Sequence, residues 1–364
     1  MIYPQNYEGK IGFSDIRRLL KGNCLSTLGT EMVDGIAFSS DPSVINEWMI
    51  QVKEFRRLRE EDEDFPLQYF FDVRIAVAKL RLENVHIEEN ELFDLRRSLD
   101  TIHNIVRFLC RTESGEELSK ENGKAKYPAL QRLTEGVVTF PLIIQRIDQI
   151  LDKFGKMRDD ASPELSNIRK ELAHTEGSIS RALYSILRNA QSEGLVDKDA
   201  APTIRDGRLV IPIAPGLKRK IKGIVHDESA SGKTVFIEPS EVVEANNRIR
   251  ELEASERREI IRILTEITKQ IRPHVKEILQ SYRFLATIDL IRAKAEFAIQ
   301  TKGIEPIVEN NPHIDWIQAI HPLLQQSLEK QGKKVVPLDI IVNKDQRILI
   351  ISGPNAPSAG SKHP

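Results

Sequence analysis

Residues 162–194, SPELSNIRKELAHTEGSISRALYSILRNAQSEG, decide the fold. Ser162-Pro163-Glu164 combines a capping hydroxyl, a first-turn proline and an early acid, which together mark a helix start. Leu165, Ile168, Leu172, Thr175, Ile179, Ala182 and Ile186 then recur by threes and fours until about Gly194. That spacing predicts a heptad seam on a helix on the order of 50 Å long. A second seam starts near Ser240 and carries Ile249, Leu252, Ile260, Ile263, Ile267 and Ile271, with Pro273 expected to kink or interrupt it. Two seams of comparable length around a short β-rich insert predict an antiparallel coiled-coil arm.

The insert changes period from helix to strand. Arg208 to Ala214 alternates as a strand, Pro215-Gly216 turns, and Lys218 to His226 reads as a second strand. Asp227 to Gly232 follows as a polar loop before a strand at Thr234-Val235-Phe236-Ile237. Between Arg208 and Thr234, six basic residues (Arg208, Lys218, Arg219, Lys220, Lys222, Lys233) face two acidic ones (Asp227, Glu228), a local net charge of +4. The whole chain, with 53 basic and 54 acidic residues, carries −1. The basic excess is therefore concentrated in the insert, and any electrostatic footprint is local.

Outside this region, 364 residues are enough for two or three domains at roughly 150 residues each. Hydrophobic residues at 40% and charged residues at 29% support a buried core and argue against global disorder, while 6% aromatics favour long helices over a sandwich. The first third reads as short helices, including one opened by Asp41-Pro42 and running through Trp48, Phe55 and Leu58. Two isolated cysteines, Cys24 and Cys110, exclude a disulfide scaffold and a zinc ribbon. With no visible signal peptide and no apolar run of membrane-spanning length, a cytoplasmic protein without membrane association is expected.

No catalytic or metal motif emerges. The acidic run Glu60–Asp64 reads as a solvated turn, and the eight histidines show no metal-ligand spacing. His226 is a candidate phosphate contact, with pairing to a neighbour the plainer reading. Ser231-Gly232-Lys233-Thr234 spells the end of a phosphate loop, but Asp227 occupies the position of the required first glycine and a strand follows instead of a helix. Near the end, Arg347-Ile-Leu-Ile-Ile351 followed by Ser352-Gly353-Pro354-Asn355 reads as a buried parallel strand entering a phosphate loop. The loop's second half lacks the lysine and hydroxyl at the spacing that phosphate and Mg²⁺ need, and Pro357 removes an N–H. This chain is expected to have no catalysis of its own.

At these residues the sequence resembles the MutS family, specifically its second bacterial branch. The resemblance rests on Gly207-Arg-Leu-Val-Ile-Pro-Ile213, Gly223-Ile-Val-His-Asp-Glu-Ser-Ala-Ser-Gly232 and Phe236-Ile-Glu-Pro239. It is supported by Ser26-Thr-Leu-Gly29, Ile291-Arg-Ala-Lys-Ala295, His321-Pro-Leu-Leu324 and Ile350-Ile-Ser-Gly-Pro-Asn355. It implies a mainly α protein: a helical core, a long antiparallel coiled-coil lever arm, a small β clamp at its tip, and the first strands of an α/β P-loop ATPase domain. The implied boundaries are 1–160 for the core, 161–200 and 240–302 for the two lever helices, 201–239 for the clamp, 303–356 for an incomplete ATPase domain, and 357–364 for a tail matching nothing in the family.

The resemblance also implies function. Arg208, Lys218, Arg219, Lys220, Lys222, His226 and Lys233 would contact nucleic acid, with branched or structured DNA as the ligand. Gly353, Pro354 and Asn355 would be a remnant of an ATP site that is complete only in a longer parent. That parent would be a dimeric ATPase using ATP and Mg²⁺, with a nuclease domain, and would restrain homologous recombination. A ribosome-engaging arm contacting rRNA and a purely structural dimerisation arm are the alternatives. The branch lacks a mismatch-reading domain, so Phe236-Ile237-Glu238 is read as structural despite spelling a mismatch wedge. The family's phosphate loop is followed only to Ala356, and Val335 stands where an adenine-stacking aromatic is usual. The chain therefore reads as an N-terminal fragment or a gene broken at that loop.

Overall fold

The computed structural model describes residues 6–67, 70–112, 124–205 and 207–350. Its elements, in chain order, are α1 (Tyr7–Lys10), α2 (Phe13–Asn23), α3 (Thr27–Asp34), α4 (Pro42–Glu60), α5 (Arg74–Lys79), α6 (Glu89–Leu109), α7 (Pro128–Arg132), α8 (Pro141–Ile150) and α9 (Pro163–Ser192). Then follow β1 (Thr203–Arg205), β2 (Arg208–Ile213), β3 (Gly223–Glu228), β4 (Val235–Pro239), α10 (Ser240–Ile271), α11 (Val275–Gln300), β5 (Ile314–Ala319), α12 (Pro322–Lys330) and β6 (Leu338–Val342). The protein is mainly helical, with small antiparallel sheets. It divides into two compact units: Met1–Ala78 with Asp94–Pro141 and His274–Pro364, and Lys79–Phe93 with Leu142–Pro273.

In the first unit α11 is the central helix. It buries residues around its whole circumference, Tyr282, Leu285, Ile288 and Ala293 among them, which makes it a core helix and not an amphipathic surface one. Phe55, Leu58, Ile102, Ile105, Tyr127 and Leu130 complete the main cluster. Asp41 opens α4 as the Asp-Pro pair predicts, its carboxylate accepting from the Ser43 N–H at 2.8 Å ahead of Pro42.

The Ser26 and Ile291 segments meet at one buried carboxylate. Asp289, fully buried, accepts from the Leu25 N–H (3.0 Å), the Ser26 N–H (3.1 Å) and the Ser26 hydroxyl (2.9 Å). The Ser26 oxygen in turn caps α3 by accepting from the Gly29 N–H at 3.0 Å. Position 29 has no room for a side chain, because a Cβ there would collide with the Asp289 carboxylate. Burial raises the Cys24 thiol to about 11, with the Asp289 charge adding to it, so this cysteine is an un-ionised packing residue at neutral pH.

The end of this unit departs from expectation. Residues 347–350 form no strand, and Ile348, at 82% exposure, and Ile350 lie open. An apolar run becomes a buried parallel strand only where neighbouring strands offer a ladder. Here β5 and β6 pair antiparallel with each other, and neither is paired to 347–350. Gly353, Pro354 and Asn355 lie outside the described residues.

In the second unit α9 and α10 are 30 and 32 residues long. Their cross-pairs fix an antiparallel arrangement, since partners on α10 fall in number as those on α9 rise. Ser162 pairs with Glu259 (2.6 Å), Arg169 with Glu256 (2.7 Å), and Glu171 with Arg248 (2.8 Å). Ser162 caps α9 as predicted, accepting from the Leu165 N–H at 3.0 Å. The seam on α10 is out of phase with the sequence reading at one point: Glu259 is buried where Ile260 was expected. That carboxylate is tolerated because Arg262 and the Ser162 hydroxyl both donate to it, and the Arg262 bonds hold it below the usual carboxylate range. The 3₁₀ turn Arg272–His274 around Pro273 separates α10 from α11.

Candidate nucleic-acid interface

The segment between α9 and α10 folds into one four-stranded sheet of order β1-β2-β4-β3, with each adjacent pair antiparallel. Ile211, Ile213, Val235 and Ile237 from β2 and β4 pack on Ile179, Leu183 and Leu187 of α9 and on Val242 of α10. Each such side chain contributes about 1.5–3 kcal/mol of burial, so the sheet is anchored on the helices beneath it. Phe236-Ile237-Glu238 is buried on β4, with Ile237 in the core against the helices, Phe236 under the Arg205 guanidinium and Glu238 in ion pairs.

The strand expected over Lys218–His226 begins later, at Gly223. Pro215–Leu217 form a 3₁₀ turn, and backbone bonds from Lys218 N–H to Pro215 O and from Lys220 N–H to Leu217 O hold Lys218–Lys220 in turns. Pairing with β4 starts only where Gly223 meets Pro239. The close approach there requires glycine, since a Cβ at 223 would strike the Glu238 carbonyl. Strand β1 was not anticipated. It pairs Arg205 with Arg208 across a turn in which Gly207 has φ +72°, and the Asp206-Gly207 dipeptide was its available signal. Ser231-Gly232-Lys233-Thr234 lies in the β3–β4 hairpin loop and leads into β4, so no helix N-terminus is presented to a phosphate there.

Six of the seven cationic candidates separate into two sets, and Lys233 stands apart in the hairpin loop. Arg208 and His226 converge on the fully buried Glu238. The Arg208 guanidinium donates to Oε2 at 2.6 Å, His226 Nε2 lies 2.5 Å from the same oxygen, and Asn246 Nδ2 donates to Oε1 at 2.5 Å. Burial pulls the Glu238 carboxyl upward, but these three partners outweigh it and hold the group below the usual carboxylate range. Arg208 and His226 are thus committed to the fold.

Lys218, Arg219, Lys220 and Lys222 form the second set, all exposed on the turn between β2 and β3. Among the described residues none of these four heads has an ion-pair partner. Lys233 is exposed in the hairpin loop in the same condition. Arg205, which sequence reasoning missed, pairs with Asp227 at 3.4 Å and stacks its guanidinium 4.4 Å from the Phe236 ring centre. Four exposed cations within Lys218–Lys222 can neutralise a run of phosphates, a backbone contact that carries no base readout.

These features define a mainly helical protein in which two long antiparallel helices carry a small sheet with an exposed basic turn. No protein-family model matches the chain. It is, however, 33% identical over 343 residues to Endonuclease MutS2 of Geobacillus sp. (strain WCH70), covering 94% of this chain and 42% of the relative. It is likewise 33% identical over 343 residues to Endonuclease MutS2 of Levilactobacillus brevis, and 29% identical over 345 residues to that of Enterococcus faecalis. The shares covered are 94% and 95% of this chain and 41% and 42% of those relatives. The chain belongs to the MutS2-type family, and it spans about two fifths of the length of these curated relatives.

Proposed function

We propose that α9 and α10 act as a lever and the β1–β4 sheet as a nucleic-acid clamp, whose Lys218–Lys222 turn lies against the sugar-phosphate backbone of branched or structured DNA. The observation that carries this reading is the charge partition. Arg208 and His226 are tied to Glu238, whereas the four cations of the turn are exposed and lack an ion pair among the described residues. Support also comes from the name the relatives carry, an endonuclease. In the whole protein, residues 1–160 would form the core, and 303–356 would open an ATPase domain in which Gly353, Pro354 and Asn355 line bound ATP and Mg²⁺. Gating by that domain, nuclease action and restraint of homologous recombination would follow there.

The test is a salt series on a four-way DNA junction and a matched duplex, with and without Lys218, Arg219, Lys220 and Lys222 changed to alanine. Contact with about four phosphates predicts a log–log slope of about −3 to −4, falling towards zero in the variant. An unchanged slope would remove the turn from the interface. An arm with an rRNA hairpin in place of the junction separates a DNA ligand from a ribosomal one.

A further inference from the structure

We infer that the outer face of α9 is a second nucleic-acid site, one that takes single-stranded polynucleotide, its phosphates on Arg181 and Arg188 and a base stacked on Tyr184. The inference rests on the nucleic-acid reading above and extends it to a surface away from the basic turn.

Placed at roughly 100° per residue, Lys170, His174, Tyr184 and Arg188 all fall within about 60° of Arg181's line along the helix. The buried residues Leu165, Ile179, Leu183 and Ala190 lie on the opposite side, against α10 and the sheet. The acidic residues of α9, Glu164, Glu171 and Glu176, and Glu193 just past its end all fall about 80° or more from Arg181. The stripe is therefore cationic without interleaved acids. Glu171, the acid nearest in angle, is engaged with Arg248 of α10 at 2.8 Å.

All five stripe residues are exposed, with Tyr184 at 53%. Among the described residues Lys170, Arg181 and Arg188 have no ion-pair partner. The Arg181 Nε donates only to its own helix, to the Gly177 carbonyl at 3.2 Å. Arg181, Tyr184 and Arg188 also line a shallow depression of about 400 Å³ with Ser185 and Asn189. Tyr184 stands one turn from each arginine, which span about 10 Å along the axis. Gly177, one turn before Arg181, has open space where a side chain would stand, so a ligand backbone can approach the helix closely there.

An aromatic face between cations is the arrangement that binds single strands without base preference: every base has a π-face to stack, and the cations follow the backbone. A duplex hides its bases and would gain only the charge term. An ordinary solvated helix face would mix both signs of charge and would not concentrate its one aromatic between two arginines.

Fluorescein-labelled oligothymidylate and oligouridylate titrated into the full chain test the proposal, with a four-way junction alongside. The variants are R181Q/R188Q, Y184A, Y184W and the clamp quadruple alanine variant. Glutamine matches arginine closely in helix propensity, so α9 keeps its fold. Expected are a loss of about tenfold or more in single-strand affinity in R181Q/R188Q, a loss of about fivefold or more in Y184A, and recovery in Y184W. The single-strand loss in R181Q/R188Q should exceed that in the clamp variant, and the relative affinities of the two oligonucleotides name DNA or RNA as the natural source. Wild-type-like single-strand binding by R181Q/R188Q, or no single-strand binding by a chain that still binds the junction, overturns the proposal and leaves the clamp reading standing. Failure of every nucleic acid to bind overturns both.

Discussion

Replacing Glu238 with alanine should loosen the β2–β4–β3 sheet by about 3 kcal/mol, because breaking a buried charged cluster from one side leaves its partners uncompensated. Arg208, His226 and Asn246 all converge on that carboxylate, and Arg208 is itself largely buried. Hydrogen exchange at Val235, Phe236 and Ile237 is the appropriate readout, since it reports local opening of β4. Their amides should exchange about a hundredfold faster in the variant, and unchanged exchange would mean that the cluster is not what holds the strand.

The same residue sets a pH dependence. Its folded pKa lies below its unfolded value, so its contribution is complete above the ordinary carboxylate pKa of about 4.3 and is lost as pH falls through the lowered folded value. Glu238→Gln should remove that part of the acid sensitivity of the sheet, leaving protection flatter below about pH 4.5.

Asp289 should show a comparable effect in the other unit. It is the common acceptor for two backbone N–H groups and the Ser26 hydroxyl, with the Arg292 guanidinium 3.5 Å away. Asp289→Ala would orphan these donors in a buried site, at an expected cost of about 3–5 kcal/mol by urea denaturation. Asp289→Asn retains one acceptor oxygen and should cost less. A destabilisation below about 1 kcal/mol in the alanine variant would show that the α2–α3 junction does not depend on this carboxylate.

Beyond the expectation that His226 pairs with a neighbour, neither network could be read from the sequence, for a definable reason. Ser26 and Asp289 are 263 positions apart, and only the packing of α11 brings them together. Arg208, His226 and Glu238 meet because of strand register, and register shifts between Val225 and Asp227, where a bulge breaks the simple alternation. The long helices, by contrast, were legible because Ser162-Pro163 is a local start signal and a heptad seam is a local period. Even there the phase slipped. On α9, Leu183 and Leu187 are buried where Ala182 and Ile186 were expected. On α10, a carboxylate held by Ser162 and Arg262, Glu259, occupies a position that periodicity assigns to an apolar residue.

Arg347–Ile350 shows the converse limit, in that its apolar run states a preference for burial but supplies no neighbouring strand. The basic turn was legible as charge but not as shape. Lysines on a strand would alternate between faces, whereas the turn at Lys218–Lys220 presents adjacent cations together.

Lysine reactivity offers the most direct test of the turn's role, because it leaves the sequence intact. The full chain would be acylated with and without a four-way DNA junction at low salt, and each lysine followed by mass spectrometry. Lys218, Lys220 and Lys222 should lose reactivity when the junction is present, added salt should restore it, and Lys330 and Lys333 should be unaffected. Full reactivity at Lys218, Lys220 and Lys222 in a junction-saturated sample would contradict this role of the turn.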